Sequence, residues 1–121
     1  MNKKILIFDD DKEILSALES VLDFADWDLV TYSSGKDAIN VIEVEKPDLI
    51  LMDILLDGVD GRDICISIKK DAALKHIPII LISGQQDAAS VHTKDFGPND
   101  FLPKPFNIGD LIDKVYFQLA S

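Results

Sequence analysis

A single cysteine, Cys65, stands in a chain of 121 residues, so no internal disulfide can form. That usage suits a reducing compartment, and a lone cysteine inside a helical pattern reads as a small core residue. Basic residues are outnumbered, 12 Lys and Arg against 22 Asp and Glu, for a formal net charge of −10. A surface that follows nucleic-acid phosphates or anionic lipid needs the opposite balance, which argues against direct nucleic-acid or membrane partners. No apolar run approaches the roughly 20 residues of a membrane span. Ile5 to Phe8, behind Lys3 and Lys4, is too short for a signal peptide and runs into Asp9, Asp10 and Asp11. The expected location is the cytoplasm. Glycine is missing where a flavin-type binder needs it: three aspartates, not a Gly/Ser/Thr-rich phosphate loop, follow the first apolar run. His76 and His92 are isolated and read as surface residues. Trp27 reads as a packing residue ahead of the second strand, and its fluorescence would report on a nearby site. There is no internal repeat, low-complexity tract or linker.

What the chain does have is a 47% apolar share beside a 28% charged share, the balance of one globular domain with a real core. Four short apolar runs each end on a residue capable of phosphate or metal chemistry. Ile5-Leu6-Ile7-Phe8 leads to Asp9 and Asp10, Leu49-Ile50-Leu51-Met52 to Asp53, Ile79-Ile80-Leu81-Ile82 to Ser83, and Phe101-Leu102-Pro103 to Lys104. Such runs, bounded by turn residues and separated by helical patterns, read as buried parallel strands. Asp28 to Tyr32 reads as a further, more exposed strand.

Between the strands, Ile14, Leu15, Leu18, Val21 and Leu22 fall on one helical face. Ser34 is the expected cap of a helix burying Ala38, Ile39 and Ile42, with Pro47 past its end. Asp57-Gly58 and Asp60-Gly61 mark a loop, and a helix carrying Ile64, Cys65 and Ile68 follows. Pro78 opens the fourth strand. Gln85 to Phe96 is a helix with sparse apolar residues, closed by Gly97-Pro98. The last helix starts after Pro105 with Asn107 as cap and a stripe of Ile108, Leu111, Ile112, Val115 and Leu119. Strict alternation of strand and helix predicts an α/β fold: a single doubly wound parallel sheet with helices on both faces.

In such a sheet, ligands sit outside the carboxyl ends of the strands. One rim would then gather Asp9, Asp10, Asp53, Ser83 and Lys104. Carboxylates within about 4–6 Å of one another repel by roughly 4 kcal/mol per pair at an effective dielectric of 20. They either protonate or recruit a cation, and Mg²⁺, with Mn²⁺ as substitute, takes such oxygen donors while leaving room for a phosphate. Asp53, alone at its strand end, is the best nucleophile candidate. Lys104 and the Ser83 hydroxyl are placed to neutralise and hydrogen-bond the remaining phosphoryl oxygens.

These stretches, with Pro47-Asp48 before the second run, Asp60-Gly61, and Lys104-Pro105-Phe106, occur in the order and near-spacing of one family. From residue 4 to about 119 the chain resembles the receiver domain of two-component response regulators, of the chemotaxis-regulator type. The resemblance implies a flavodoxin-like (βα)5 fold with a five-stranded sheet of order 2-1-3-4-5. It implies that Asp53 accepts a phosphoryl group from a sensor histidine kinase or a histidine phosphotransfer protein, in a phosphorelay rather than as a turnover enzyme. Asp9, Asp10, Asp53 and the Leu55 backbone carbonyl would hold the metal, Asp9 mainly through water. Ser83 and Lys104 would bind the phosphoryl oxygens, and Phe101 would turn inward as Ser83 moves, acting with it as the switch. The Lys104–Pro105 bond is commonly cis in the family. A downstream protein or output domain would dock on the face of the fourth helix, fifth strand and fifth helix. Residues 1–121 would be the receiver domain, with no output domain.

The departures from the family pattern carry expectations of their own. Asp57 stands where the family usually has proline, so the loop after Asp53 loses a fixed φ and gains a charge; either an altered loop or stronger cation attraction follows. Leu55 and Gln85 occupy positions that line the path of the hydrolytic water in the family. Leu55 cannot hydrogen-bond that water, which predicts slow loss of the phosphoryl group. The stretch from Ser83 to Lys104 is about one residue short, and Gly97-Pro98-Asn99-Asp100 replaces a more usual Gly-Ala-Asp-Asp. The competing enzyme reading is a small haloacid-dehalogenase-like phosphatase, with Asp9 as nucleophile and Asp11 as general acid. It leaves Asp53 and Asp60-Gly61 without a role, and no acidic pair follows a Lys at the right stage.

Overall fold

The computed structural model describes residues 2–23, 26–84 and 97–120. Its elements run β1 (Lys3–Phe8), α1 (Lys12–Leu22), β2 (Trp27–Tyr32), α2 (Ala38–Glu45), β3 (Leu49–Asp53), β4 (Leu55–Leu56), β5 (Val59–Asp60), α3 (Gly61–Lys70), β6 (Ile79–Gly84), β7 (Asp100–Lys104) and α4 (Ile108–Ala120). Five of the strands form one sheet of order β2-β1-β3-β6-β7, every neighbouring pair parallel. With the two short hairpin strands set aside, this is the expected order 2-1-3-4-5.

Alternation along the strands decides which helix each residue meets. Leu6, Phe8, Ile50, Met52, Ile79 and Leu81 pack on Ala38, Ile42, Ile64, Cys65 and Ile68 of α2 and α3. Ile5, Ile7, Leu49, Leu51, Ile80 and Ile82 pack on Leu15, Leu18, Leu22, Leu111 and Val115 of α1 and α4. Covered on both faces, the inner strands have no polar side until they reach the rim, and all of β3 is buried. Each such Leu or Ile contributes about 1.5–3 kcal/mol on burial. The edge strand β2 is only partly buried.

Local chemistry sets the helix ends. The Asp11 carboxylate accepts from the amides of Glu13 and Ile14 at 2.9 and 3.4 Å and starts α1. Asn107 Oδ1 accepts from the Asp110 amide at 3.1 Å at the start of α4. Ser34 is not the cap of α2. Its hydroxyl accepts from the Lys36 amide in a turn, and the helix begins only after Asp37, whose backbone is left-handed. The α4 stripe also differs from expectation: Ile108, the first residue of the helix, is 54% exposed, the packed face begins at Leu111, and Gln118 is buried near its end. Asp57-Gly58 is a hairpin turn rather than an open loop. Both residues have positive φ, 39° and 85°, the Asp-Gly signature of a two-residue turn, and β4 pairs antiparallel with β5. The helix expected over 85–96, with Gln85 and His92, lies outside the described residues. Among the described residues, no helix is long and apolar enough to cross a membrane.

Candidate functional site

The carboxyl ends of β1, β3, β6 and β7 carry the polar residues that the apolar runs lead into. Asp9 follows β1 directly, Asp53 closes β3, Ser83 is the penultimate residue of β6 and Lys104 closes β7. Sheet register brings them level, with Asp53 opposite Ile82 and Gly84 opposite Lys104. One carboxylate oxygen from each of Asp9, Asp10 and Asp53 lies within 4.8 Å of the others. Lys104 Nζ, on the far side of the sheet's centre, reaches across to Asp53 Oδ2 at 2.8 Å and Asp9 Oδ2 at 3.3 Å.

Burial makes this cluster electrostatically tense. Asp9 is fully buried and Asp53 nearly so. Loss of water, then the nearby charge of Asp53, push the Asp9 carboxyl up to about 6, although the Asp11 amide and Lys104 pull the other way. Burial acts to depress the Lys104 ammonium, but hydrogen bonds and charge from Asp53 and Asp9 outweigh it and raise its pKa. Two backbone amides complete the frame: that of Leu55 donates to Asp53 Oδ1 at 3.1 Å, and that of Asp11 to Asp9 Oδ1 at 2.9 Å. Ser83 is fully buried, and its hydroxyl has no hydrogen-bond partner among the described residues. An unsatisfied buried hydroxyl costs about 1–3 kcal/mol, a cost that an incoming anion would remove.

The expected site residues Asp9, Asp10, Asp53, Leu55, Ser83 and Lys104 therefore meet at one end of the sheet. Phe101 sits apart from the cluster. It lies in β7 opposite Leu81 and packs, partly buried, against the core beneath α2 and α3. Trp27 starts β2 opposite Lys3, at the amino ends of the strands, and its ring meets Tyr116 edge-on with centroids 4.9 Å apart. Six residues of strand, about 17 Å, separate it from the carboxylates, so its fluorescence is a poor reporter of that end.

Two contributors escaped the reading of the residues as chemistry. The Asp57 amide donates to Asp10 Oδ2 at 3.0 Å, and the family departure at 57 was the only signal for it. Gly61 lies against the backbone of Asp53: a Cβ built there would stand 2.3 Å from the Asp53 carbonyl oxygen. Its signal was the Asp60-Gly61 pair, in which Asp60 caps α3 through the Arg62 amide.

A profile described as the response regulator receiver domain matches residues 5–116. The chain belongs to that family. This receiver domain is 33% identical over 108 residues to the alkaline phosphatase synthesis transcriptional regulatory protein PhoP of Bacillus subtilis (strain 168), covering 88% of this chain and 44% of that protein. The chain thus spans less than half the length of that curated relative. A solved chain assigned as a response regulator from Chloroflexus aurantiacus J-10-fl is 33% identical with a TM-score of 0.90, all of both chains being covered. The receiver domain of the Francisella response regulator 1452 is 27% identical with a TM-score of 0.86, over 98% of each chain. The receiver domain of the sensor histidine kinase PA1611 from Pseudomonas aeruginosa PAO1, which holds a magnesium ion in its active site cleft, shares the fold at 24% identity, a TM-score of 0.85 and full coverage of both chains. This receiver domain is a phosphoacceptor module of two-component signal transduction.

Proposed function

We propose that Asp53 is the phosphoacceptor and that the phosphoryl group comes from a sensor histidine kinase or a histidine phosphotransfer protein. The observation that carries this reading is the position of the Lys104 ammonium, 2.8 Å from Asp53 and 3.3 Å from Asp9 at a shared strand end. Asp53 Oδ1 is held by the Leu55 amide, so its carboxylate presents a fixed oxygen for in-line attack. Lys104 compensates charge on the transferred group. The Ser83 hydroxyl, near the end of β6 and without a partner among the described residues, gains its acceptor when that group arrives, and Phe101 responds to the Ser83 shift. Together they make a two-state element whose balance the phosphoryl group biases.

The donor set fits a hard divalent cation, because three carboxylates converge with, among the described residues, one ammonium to balance them. Asp9, Asp10, Asp53 and the Leu55 carbonyl would hold Mg²⁺ or Mn²⁺. The ion, when bound, supplies charge neutralisation to a phosphoryl oxygen. The domain acts as a switch that catalyses its own phosphorylation and dephosphorylation, in the cytoplasm, and passes the signal through a downstream protein or output domain. Residues 1–121 are read as receiver domain throughout.

Incubation with acetyl phosphate and Mg²⁺, followed by mapping of the modified residue by mass spectrometry, tests the reading. Modification of Asp53 is the expected result; modification of Asp9 would replace the switch by the phosphatase reading. The Leu55 side chain is 61% exposed and has no hydrogen-bonding group to hold a water. Phosphorylated protein should therefore lose its phosphoryl group with a half-life well beyond seconds. Leu55→Asn should shorten that half-life by about tenfold, the low end of the effect of a positioned polar group on a proton-transfer step. A half-life of seconds that Leu55→Asn leaves unmoved would count against this role.

A further inference from the structure

Asp57 departs from the family's usual proline, and the structure gives the departure a specific consequence. The residue sits in the hairpin turn with φ of 39°, a left-handed backbone that Asp tolerates and proline cannot adopt. That backbone turns the Asp57 amide toward Asp10, 47 residues away in sequence, and the N–H donates to Asp10 Oδ2 at 3.0 Å. Proline has no N–H to give. Asp10 is exposed, and no other hydrogen bond to its carboxylate is made among the described residues. Without the amide, an exposed aspartate would rotate freely. The turn itself is anchored from below: Leu56 is buried, its side chain would lie 3.0 Å from a Cβ at Gly35, and Gly61 N–H ties the far end of the hairpin to the Ile54 carbonyl at 2.7 Å.

We infer that Asp57 is a positioning residue whose backbone amide, presented by the left-handed turn, holds the Asp10 carboxylate in register with Asp9 and Asp53 for a divalent cation. The inference rests on the proposed function of that carboxylate cluster. Its active part is the main chain, since the grouped carboxylates are Asp9, Asp10 and Asp53 without Asp57. The turn geometry, rather than the side-chain charge, is what the inference assigns to position 57. Partners that orient a metal ligand are typically worth tenfold or more in affinity.

Two measurements test this. Mg²⁺ titration followed by backbone amide shifts should give Asp57→Asn, which keeps the N–H and tolerates the left-handed backbone, an affinity within about twofold of the unmodified chain. Asp57→Pro should bind about tenfold more weakly. Hydrogen exchange without added cation should show the Asp57 amide protected, and the protection should drop by about tenfold in Asp10→Ala, which removes the acceptor. The exchange comparison decides the matter even if Asp57→Pro does not fold. An Asp57 amide that exchanges freely, or is equally protected in Asp10→Ala, would overturn the inference, as would Asp57→Asn weakening Mg²⁺ as much as Asp57→Pro. Failure of the unmodified chain to bind Mg²⁺ would overturn it together with the cation reading of the site. Normal Mg²⁺ binding that Asp57→Pro leaves unchanged would overturn this inference alone.

Discussion

Lys104→Met is expected to accept phosphate from acetyl phosphate at least about a hundredfold more slowly than the unmodified domain at saturating Mg²⁺. Removing one preorganised group that stabilises developing charge typically costs 10²–10³ in rate, and phosphoryl transfer depends on such compensation more than on covalent help. Methionine keeps the length and apolar stem of lysine, so the loss reads the charge. The same substitution exposes the tension among the carboxylates. Asp9 is fully buried and pairs with Lys104 at 3.3 Å. Breaking a buried pair from one side costs about 3–5 kcal/mol. With the Lys104 side chain 26% exposed and the cluster at a rim, about 2 kcal/mol is expected.

The pH dependence has a defined sign. The Asp9 carboxyl is raised from 3.8 to about 6, so between those values the folded state binds more protons than the unfolded chain, and this group's contribution to stability falls as pH rises. Removing the ammonium moves the upper end of that window higher. Lys104→Met should therefore be more destabilised above pH 7 than near pH 5, where Asp9 is protonated and only the pair with Asp53 is missed. Thermal melts at pH 5 and pH 8 without metal check this. A destabilisation equal at both pH values would show that lost packing, not charge, is responsible.

Gly61→Ala should be more damaging than the same change at Gly35, Gly58 or Gly109. The new Cβ would stand 2.3 Å from the Asp53 carbonyl oxygen and 3.1 Å from the Ile54 Cα. Those obstacles are backbone, so no rotamer relieves them. The Gly61 amide is also bonded to the Ile54 carbonyl, so α3 cannot retreat without breaking that bond. Overpacking of this kind costs about 3 kcal/mol, or roughly 10–15 °C in melting temperature for a domain of this size. Gly58→Ala is the comparison. It carries φ of 85° but meets nothing within 4 Å, so only the left-handed backbone opposes it, at about 1–2 kcal/mol. Because Gly61 abuts the main chain of Asp53, the proposed acceptor, Gly61→Ala should also accept phosphate poorly at temperatures where it remains folded. Gly58→Ala should lose less. Equal melting temperatures for the two variants would sink the argument for contact with Asp53.

Much of this was legible in the residues because parallel strands covered on both faces must be apolar along their length and turn polar only at the rim. Ile5 to Phe8, Leu49 to Met52 and Ile79 to Ile82 therefore announced both the strands and the position of Asp9, Asp53 and Ser83. The last helix was visible for the same reason, through Leu111 and Val115. Signals that depend on a few local residues fared less well. Ser34 has the chemistry of a cap, but its hydroxyl is taken by the Lys36 amide and the helix begins only after left-handed Asp37. Asp57-Gly58 announced a turn; that it folds back as a hairpin and offers an amide to Asp10 depends on a partner 47 positions distant.

The linear order of side chains thus determined the sheet, its buried faces and the chemical identity of its rim, since hydrophobic periodicity is a local property. Tertiary structure decided the rest: that Lys104 spans two buried acids, that Ser83 is left without a partner among the described residues, and that Gly61 must be bare because the backbone at the end of β3 occupies the space. Those are distances between groups on different elements, and no pattern of neighbours along the chain encodes a distance.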